Sequence, residues 1–182
     1  MVAVDTSFLG LIFFPGAKPP NDPSTGAPPD RVEERIRKLL EDLDTSKERI
    51  VVPTPALGEF LVLANEDAPN YLAELTNQIS FLVKPFDLMA AVEVASMELQ
   101  ARKRGSKRSP APEDSPWQKV KVDRQIVAIA RIHGAHTIYS DDRDVKNIAE
   151  ETGIKVISCW ELDLPISNTP LLDNSVPPFD LS

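Results

Sequence analysis

The chain is 182 residues long, the size of one domain with embellishments. Its 20 Lys and Arg against 28 Asp and Glu give a net charge of −8, which excludes a wholly basic nucleic-acid-binding surface and leaves room for a local basic strip. One cysteine, Cys159, and two histidines, His133 and His136, exclude an internal disulfide and a structural zinc site built from Cys and His. No apolar run reaches the roughly 18 residues that a membrane span requires. The apolar stretch 1–14 contains Asp5 and no basic residue precedes Lys18, so it does not read as a secretory signal, and the expected compartment is the cytoplasm.

Seventeen prolines punctuate the chain unevenly, six of them within 15–29, three within 110–116 and four within 165–178. Proline lacks the N–H needed by ladders and helix interiors, so these stretches are expected as loops. The small β-prone run 2–4 is a strand ending at Asp5, and the apolar run 8–14 starts a helix broken near Pro15. Residues 30–43 carry apolar side chains at Val32, Ile36, Leu39, Leu40 and Leu43, the spacing of an amphipathic helix with Asp30 as its N-cap. A second buried strand covers 50–52. Thr54 followed by Pro55 predicts a helix N-terminus running to about Glu66.

Further on, 69–79 reads as a helix and 80–83 as a strand. Residues 87–104 form a helix capped by Asp87 and stopped by Gly105, and 106–116 is a polar, Pro-rich loop. A helix over 120–133 ends at Gly134, a strand occupies 137–139, a helix runs over 144–152 to Gly153, and the last strand is 155–158. Strands alternating with helices predict parallel βαβ units and a sheet covered on both faces. The expected organisation is a domain over 1–160, with a Pro-rich loop at 15–29 and a basic, Pro-rich insert at 105–117, followed by an acidic Pro-rich tail over 161–182.

The carboxylates fall where such a sheet places ligands, beyond the C-terminal ends of its strands. Asp5 ends the first strand, Glu59 lies early in the helix after the second, and Asp141, Asp142 and Asp144 follow the strand 137–139. Asp123 shares a helix face with Ile126 and Val127, and a carboxylate on an apolar face is costly unless paired or metal-bound. Plainer roles stand beside each: Asp5 as a turn or helix cap, Glu59 facing solvent, Asp142 or Asp144 capping the following helix, Asp123 paired with Lys119. Taken together, these acids predict a hard-cation site, since Mg²⁺ and Mn²⁺ take oxygen ligands. His133 and His136 flank Gly134 and read as turn residues.

Four blocks in order, Val2-Ala-Val-Asp5-Thr6-Ser7, Thr54-Pro-Ala-Leu-Gly-Glu59-Phe, Asp123-Arg-Gln-Ile-Val-Ala and Ile138-Tyr-Ser140-Asp-Asp142-Arg-Asp144-Val, resemble the PIN-domain nucleases. The resemblance spans 1 to about 158. It implies a Rossmann-like α/β/α sandwich with a mainly parallel central sheet, and Mg²⁺- or Mn²⁺-dependent cleavage of RNA. Many members are VapC-type toxins, commonly dimeric, so an antitoxin protein and a second copy are implied partners. Carried over, the catalytic acids are Asp5, Glu59, Asp123 and Asp142, and the metal ligands are Asp5, Asp123, Asp142 and Asp144. Ser7, Ser140 and Asp141 support them. Val145 stands where the family commonly has an aromatic, and Asp141 and Asp142 both remain candidates for the metal-facing carboxylate.

Residues 102–124 hold eight basic side chains against three acidic ones. Arg102, Lys103, Arg104, Lys107, Arg108, Lys121 and Arg124 are the candidate RNA-phosphate contacts, with a solvated helix end and loop as the alternative. Trp117 either stacks a base or packs beneath the loop. Ser7 argues against a phosphatase of the haloacid-dehalogenase type, which needs Asp two residues after the first Asp. A non-catalytic PIN-like scaffold that binds RNA or a partner is the remaining alternative to the ribonuclease.

Overall fold

The structure, a computed structural model, describes residues 1–165, so most of the expected tail lies outside the described residues. Its elements in chain order are β1 (Val2–Val4), α1 (Thr6–Phe13), α2 (Val32–Thr45), β2 (Ile50–Pro53), α3 (Thr54–Ala64), α4 (Ala68–Asn77), β3 (Phe81–Lys84), α5 (Leu88–Lys103), α6 (Trp117–Ile132), β4 (Thr137–Tyr139), α7 (Arg143–Glu151) and β5 (Lys155–Ile157). The five strands form one all-parallel sheet in the order β3-β2-β1-β4-β5. From β1 the chain winds outward to β2 and β3, then crosses back through α5 and α6 to β4 and β5. The winding direction reverses between β1 and β4, the point at which sheets of this kind form a ligand crevice beyond the C-terminal ends of the strands.

Strand periodicity divides the core. Val2, Val4, Ile50, Val52 and Tyr139 pack on one side with Phe8, Phe13, Ile36, Leu39 and Phe60 from α1, α2 and α3. Ala3, Val51 and Ile138 point the other way, onto Ala90 and Met97 of α5, Val127 and Ala130 of α6 and Ile148 of α7. Fully buried side chains such as Phe8, Leu9 and Phe60 each contribute about 1.5–3 kcal/mol of burial energy. That two-sided cover makes the sheet a rigid floor for the crevice.

Three helices begin with an aspartate whose carboxylate receives a backbone N–H of the first turn. Asp5 accepts from Phe8 at 2.9 Å, Asp87 from Ala90 at 2.9 Å and Asp142 from Asp144 at 2.7 Å. At the other end, Gly134 and Gly153 adopt φ of +73° and +80° just after α6 and α7, a backbone region that favours glycine.

Several boundaries differ from expectation, each for a local reason. Asp30 does not cap α2; it pairs with Arg35 at 2.7 Å, and Arg31, at φ +50°, holds the cap position without capping the helix backbone, its guanidinium pairing with Glu34. Pro53, not Thr54, precedes α3, because the Thr54 hydroxyl is committed to the Phe86 N–H at 3.1 Å. That helix ends at Ala64, where Asn65 turns to φ +52° and one 3₁₀ turn leads into α4. The helix α6 starts at Trp117, three residues before the first apolar position expected to lie in it.

The insert over 105–117 is a packed part of the domain. Arg124, only 1% exposed, sends its guanidinium under it to the carbonyls of Lys107 and Ser109 at 2.7 and 2.9 Å. Arg108 donates to the Ser115 carbonyl at 3.0 Å, and Ala111 is buried among the α5–α6–α7 residues.

Candidate metal centre at the carboxyl edge of the sheet

Tertiary structure gathers three of the candidate acids into one cluster. Asp123 projects from α6, Asp142 from the turn after β4, and Asp144 from the first turn of α7. Each offers a carboxylate oxygen, and these atoms all lie within 4.8 Å of one another. Asp123 and Asp144 are buried, at 5% and 6% exposure, whereas Asp142 is half-buried. Oxygens this close and this poorly solvated repel one another strongly unless a cation sits among them.

In this structure that cation is Lys119. Its Nζ donates to Asp123 at 3.0 Å, to Asp142 at 2.8 Å and to Asp144 at 3.0 Å. The sequence supplies half of this contact, since Lys119 and Asp123 are four residues apart on α6 and so share a face. The reach from α6 to Asp142 and Asp144 is set by the packing of α6 against α7. Burial works against the lysine's charge, but its bonds to Asp142 and Asp123 outweigh that and hold it protonated above its ordinary range. Burial raises Asp123 to about 7, with the neighbouring Asp142 and Asp144 adding to the shift and Lys119 opposing it.

Asp5 lies at the same edge, outside this cluster, and is fully engaged. One oxygen accepts from Ser7 Oγ at 2.7 Å and from the Phe8 N–H, and the other accepts from Ser140 Oγ at 2.5 Å. Burial raises its pKa to about 6 against the pull of these three donors. Ser140 thus ties the end of β4 to the end of β1 across the crevice, and its oxygen also receives the Asp142 N–H at 3.0 Å. Glu59 is exposed, and the hydroxyl of Thr6, the residue after Asp5, donates to it at 2.7 Å. Thr6 carried no signal in the sequence beyond its place beside Asp5.

Asp141 and Asp142 are separated by what they touch. Asp141 turns away to accept the Cys159 N–H at 2.7 Å, and its second oxygen is buried without a partner among the described residues. Burial raises its pKa despite that bond. Asp142 is the member of the pair that faces Asp123 and Asp144.

The basic segment proves less available than its composition suggests. Arg124 is buried beneath the insert and cannot serve as the surface phosphate contact expected of it. Arg102 pairs with Glu98 at 2.6 Å and Arg104 with Glu151, while Arg108 is bound to the insert. Lys107 lies 4.7 Å over the Trp117 ring, with Arg124 on the same indole at 5.6 Å, so Trp117 packs against the loop. Lys103 is exposed, Lys121 half-buried, and neither makes an ion pair among the described residues.

A parallel, doubly wound sheet with acids at its reversal point defines a Rossmann-like α/β/α protein carrying a carboxylate centre. More specifically, the chain belongs to the PIN domain family, whose model matches residues 29–151. Solved structures agree on the fold. FitAB bound to an IR36 DNA fragment is 20% identical, with 90% of this chain and 98% of that chain covered and a TM-score of 0.54. DNA-bound VapBC from Salmonella typhimurium is 17% identical over 87% and 99% of the two chains, with a TM-score of 0.53. VapC20 of Mycobacterium tuberculosis, described as a sarcin-ricin loop cleaving toxin, is 21% identical over 85% and 96%, at 0.50. No curated protein sequence matches the chain. Among the described residues no helix is long and apolar enough to cross a membrane.

Proposed function

We propose that this protein is a Mg²⁺- or Mn²⁺-dependent endoribonuclease acting in the cytoplasm, and the toxin of a toxin–antitoxin pair. The observation that carries the reading is the Asp123–Asp142–Asp144 cluster closed around the Lys119 ammonium. Three carboxylate oxygens at this spacing suit a hard divalent cation, and the ammonium already sits where positive charge is wanted. These three aspartates would hold the ion, with Asp5 and Glu59 completing the acidic edge.

Held by Asp123, Asp142 and Asp144, a divalent cation would supply charge to offset that of the phosphodiester and would lower the pKa of a water. The protein's own part is to hold the acids in place. Asp142 is fixed by capping α7 and by the Ser140 hydroxyl. Asp5 is fixed by three donors, and Asp123 by a helix packed on both sides. Histidine has no role in this arrangement.

The toxin reading draws on the family and on the solved relatives described as FitAB and VapBC complexes. A homodimer is supported by large apolar side chains left exposed on α3 and α5: Val62 at 79%, Leu63 at 66%, Leu88 at 78%, Met89 at 62%, Val92 at 59% and Leu99 at 61%. The alternative, a non-catalytic PIN-like scaffold, keeps the same fold without turnover.

Cleavage of a generic RNA with and without chelator distinguishes the two. The nuclease reading expects metal-dependent cleavage, abolished in Asp142→Asn and retained in Asp141→Asn. A wild-type protein that binds RNA and leaves it intact in Mn²⁺ and in Mg²⁺ supports the scaffold.

A further inference from the structure

Beside Asp142 lies a cavity of about 450 Å³, walled by Asp22, Pro23 and Ser24 of the Pro-rich loop, by Asp141, Asp142, Arg143 and Lys146 around the start of α7, and by Ser158, Trp160 and Glu161. We propose that it is a single-nucleotide subsite for the RNA strand, with Arg143 and Lys146 taking a phosphate and Trp160 stacking a base. The proposal rests on the nuclease reading above and assigns the Pro-rich loop a place beside the site.

Each acid on these walls accepts at least one hydrogen bond that fixes its orientation or belongs to the carboxylate cluster. Asp22 accepts the Ser24 N–H and hydroxyl at 2.8 and 2.7 Å, which folds the loop tip. Asp141 accepts from Cys159, Glu161 accepts the Ser158 N–H at 2.8 Å, and Asp142 belongs to the carboxylate cluster. The cations differ. Arg143 is exposed, Lys146 is half-buried, and among the described residues neither makes an ion pair, unlike Arg102, Arg104 and Arg131.

Three residues apart, Arg143 and Lys146 stand on one face of α7 in its first turns, where the helix dipole also favours an anion. Trp160 is half-buried and anchored in part against the core. Two such cations and an aromatic around one small cavity suit a phosphate joined to a flat base. The position, next to Asp142, sets a bound nucleotide beside the carboxylates.

Trp160 and Trp117 are the chain's two tryptophans, so Trp117→Phe leaves Trp160 as the sole indole reporter. Binding of a ten-nucleotide single-stranded RNA is followed in chelator, where turnover does not intervene. Trp160 emission is expected to be quenched on binding. Arg143→Ala/Lys146→Ala is expected to weaken affinity about tenfold and to flatten its salt dependence by about 0.7 in log–log slope for each phosphate that is no longer neutralised.

Binding without quenching, absence of binding, or an unchanged affinity and slope in the double variant overturns the subsite. A nucleoside monophosphate that quenches as strongly as the RNA overturns the strand assignment in favour of a free nucleotide. Should Trp117→Phe fail to fold, Trp160→Phe in the otherwise native chain decides the point, because the quench must then vanish. Metal-dependent cleavage by the wild type without quenching rejects the subsite alone. Quenching without cleavage rejects the nuclease reading and leaves the binding site standing.

Discussion

The two acidic groups at the sheet edge solve the same electrostatic problem differently. Asp5 is balanced by three short, neutral donors on its own turn and on the adjoining strand end. The Asp123–Asp142–Asp144 group is balanced by one ammonium at the tip of a long side chain that is 39% exposed. Serine hydroxyls and a helix N–H are built into the fold and cannot leave without breaking it. A lysine head can swing into water and yield its place to another cation. The contrast implies a fixed half that holds the crevice together and an exchangeable half that binds.

Removing the fixed half is expected to cost the most. Asp5→Ala discards the α1 cap and strands the Ser7 and Ser140 hydroxyls, for a loss of about 2–4 kcal/mol in urea unfolding. Asp5→Asn retains a cap and is expected to lose about 1 kcal/mol. Equal losses in the two variants break the comparison, because the donors would then not be what positions Asp5.

Arg124→Met tests whether the insert belongs to the body of the protein or to an RNA-binding surface. Losing two bonds to the Lys107 and Ser109 carbonyls is expected to cost about 2–3 kcal/mol, with the salt slope of RNA binding unchanged. A stable variant with a shallower slope returns Arg124 to the RNA surface.

The exchangeable half gives a smaller effect of distinctive form. Lys119→Met leaves three carboxylates unbalanced, and the metal-free protein is expected to lose about 1–2 kcal/mol, the exposure of the lysine keeping the figure low. Mn²⁺ is expected to bind the variant about tenfold more tightly by calorimetry and to close the gap in thermal melts. Weaker Mn²⁺ binding in Lys119→Met shows that the lysine supports the ion instead of competing with it.

The smallest effect is on pH dependence. Asp123 titrates near 7 in the folded chain against an ordinary 3.8, so the native state holds its proton more readily than the unfolded chain does. Stability from this group is greatest at low pH and falls as pH rises from about 4 to about 7. Asp5, raised to about 6, acts in the same direction over a narrower range. Asp123→Asn without metal is therefore expected to show a shallower decline between about pH 4.5 and 7.5, by about 1 kcal/mol. An identical decline in both proteins places the titration elsewhere.

Much of the fold was written in local patterns. Strand runs such as Val2-Ala-Val and Ile50-Val-Val, the caps at Asp5 and Asp87, and the glycine stops at 134 and 153 depend on neighbours within a few residues. The errors came where a side chain found a distant partner instead of its local one. Thr54 went to the Phe86 N–H, and Arg124 to the Lys107 and Ser109 carbonyls of the insert. No spacing rule reveals such choices.

For the site, the sequence by itself placed Asp5, Asp141 and Asp142 just past strand ends and Asp123 on an apolar helix face, because alternation of strands and helices dictates where loops gather. It also put Lys119 on the same face as Asp123. Only the tertiary structure decided that Asp142 and not Asp141 faces the cluster, that Asp5 is locked by Ser140, and that Lys119 spans from α6 to α7. Those outcomes depend on how the elements pack, where displacements of an ångström or two decide which of two adjacent carboxylates meets a cation and which meets a backbone N–H.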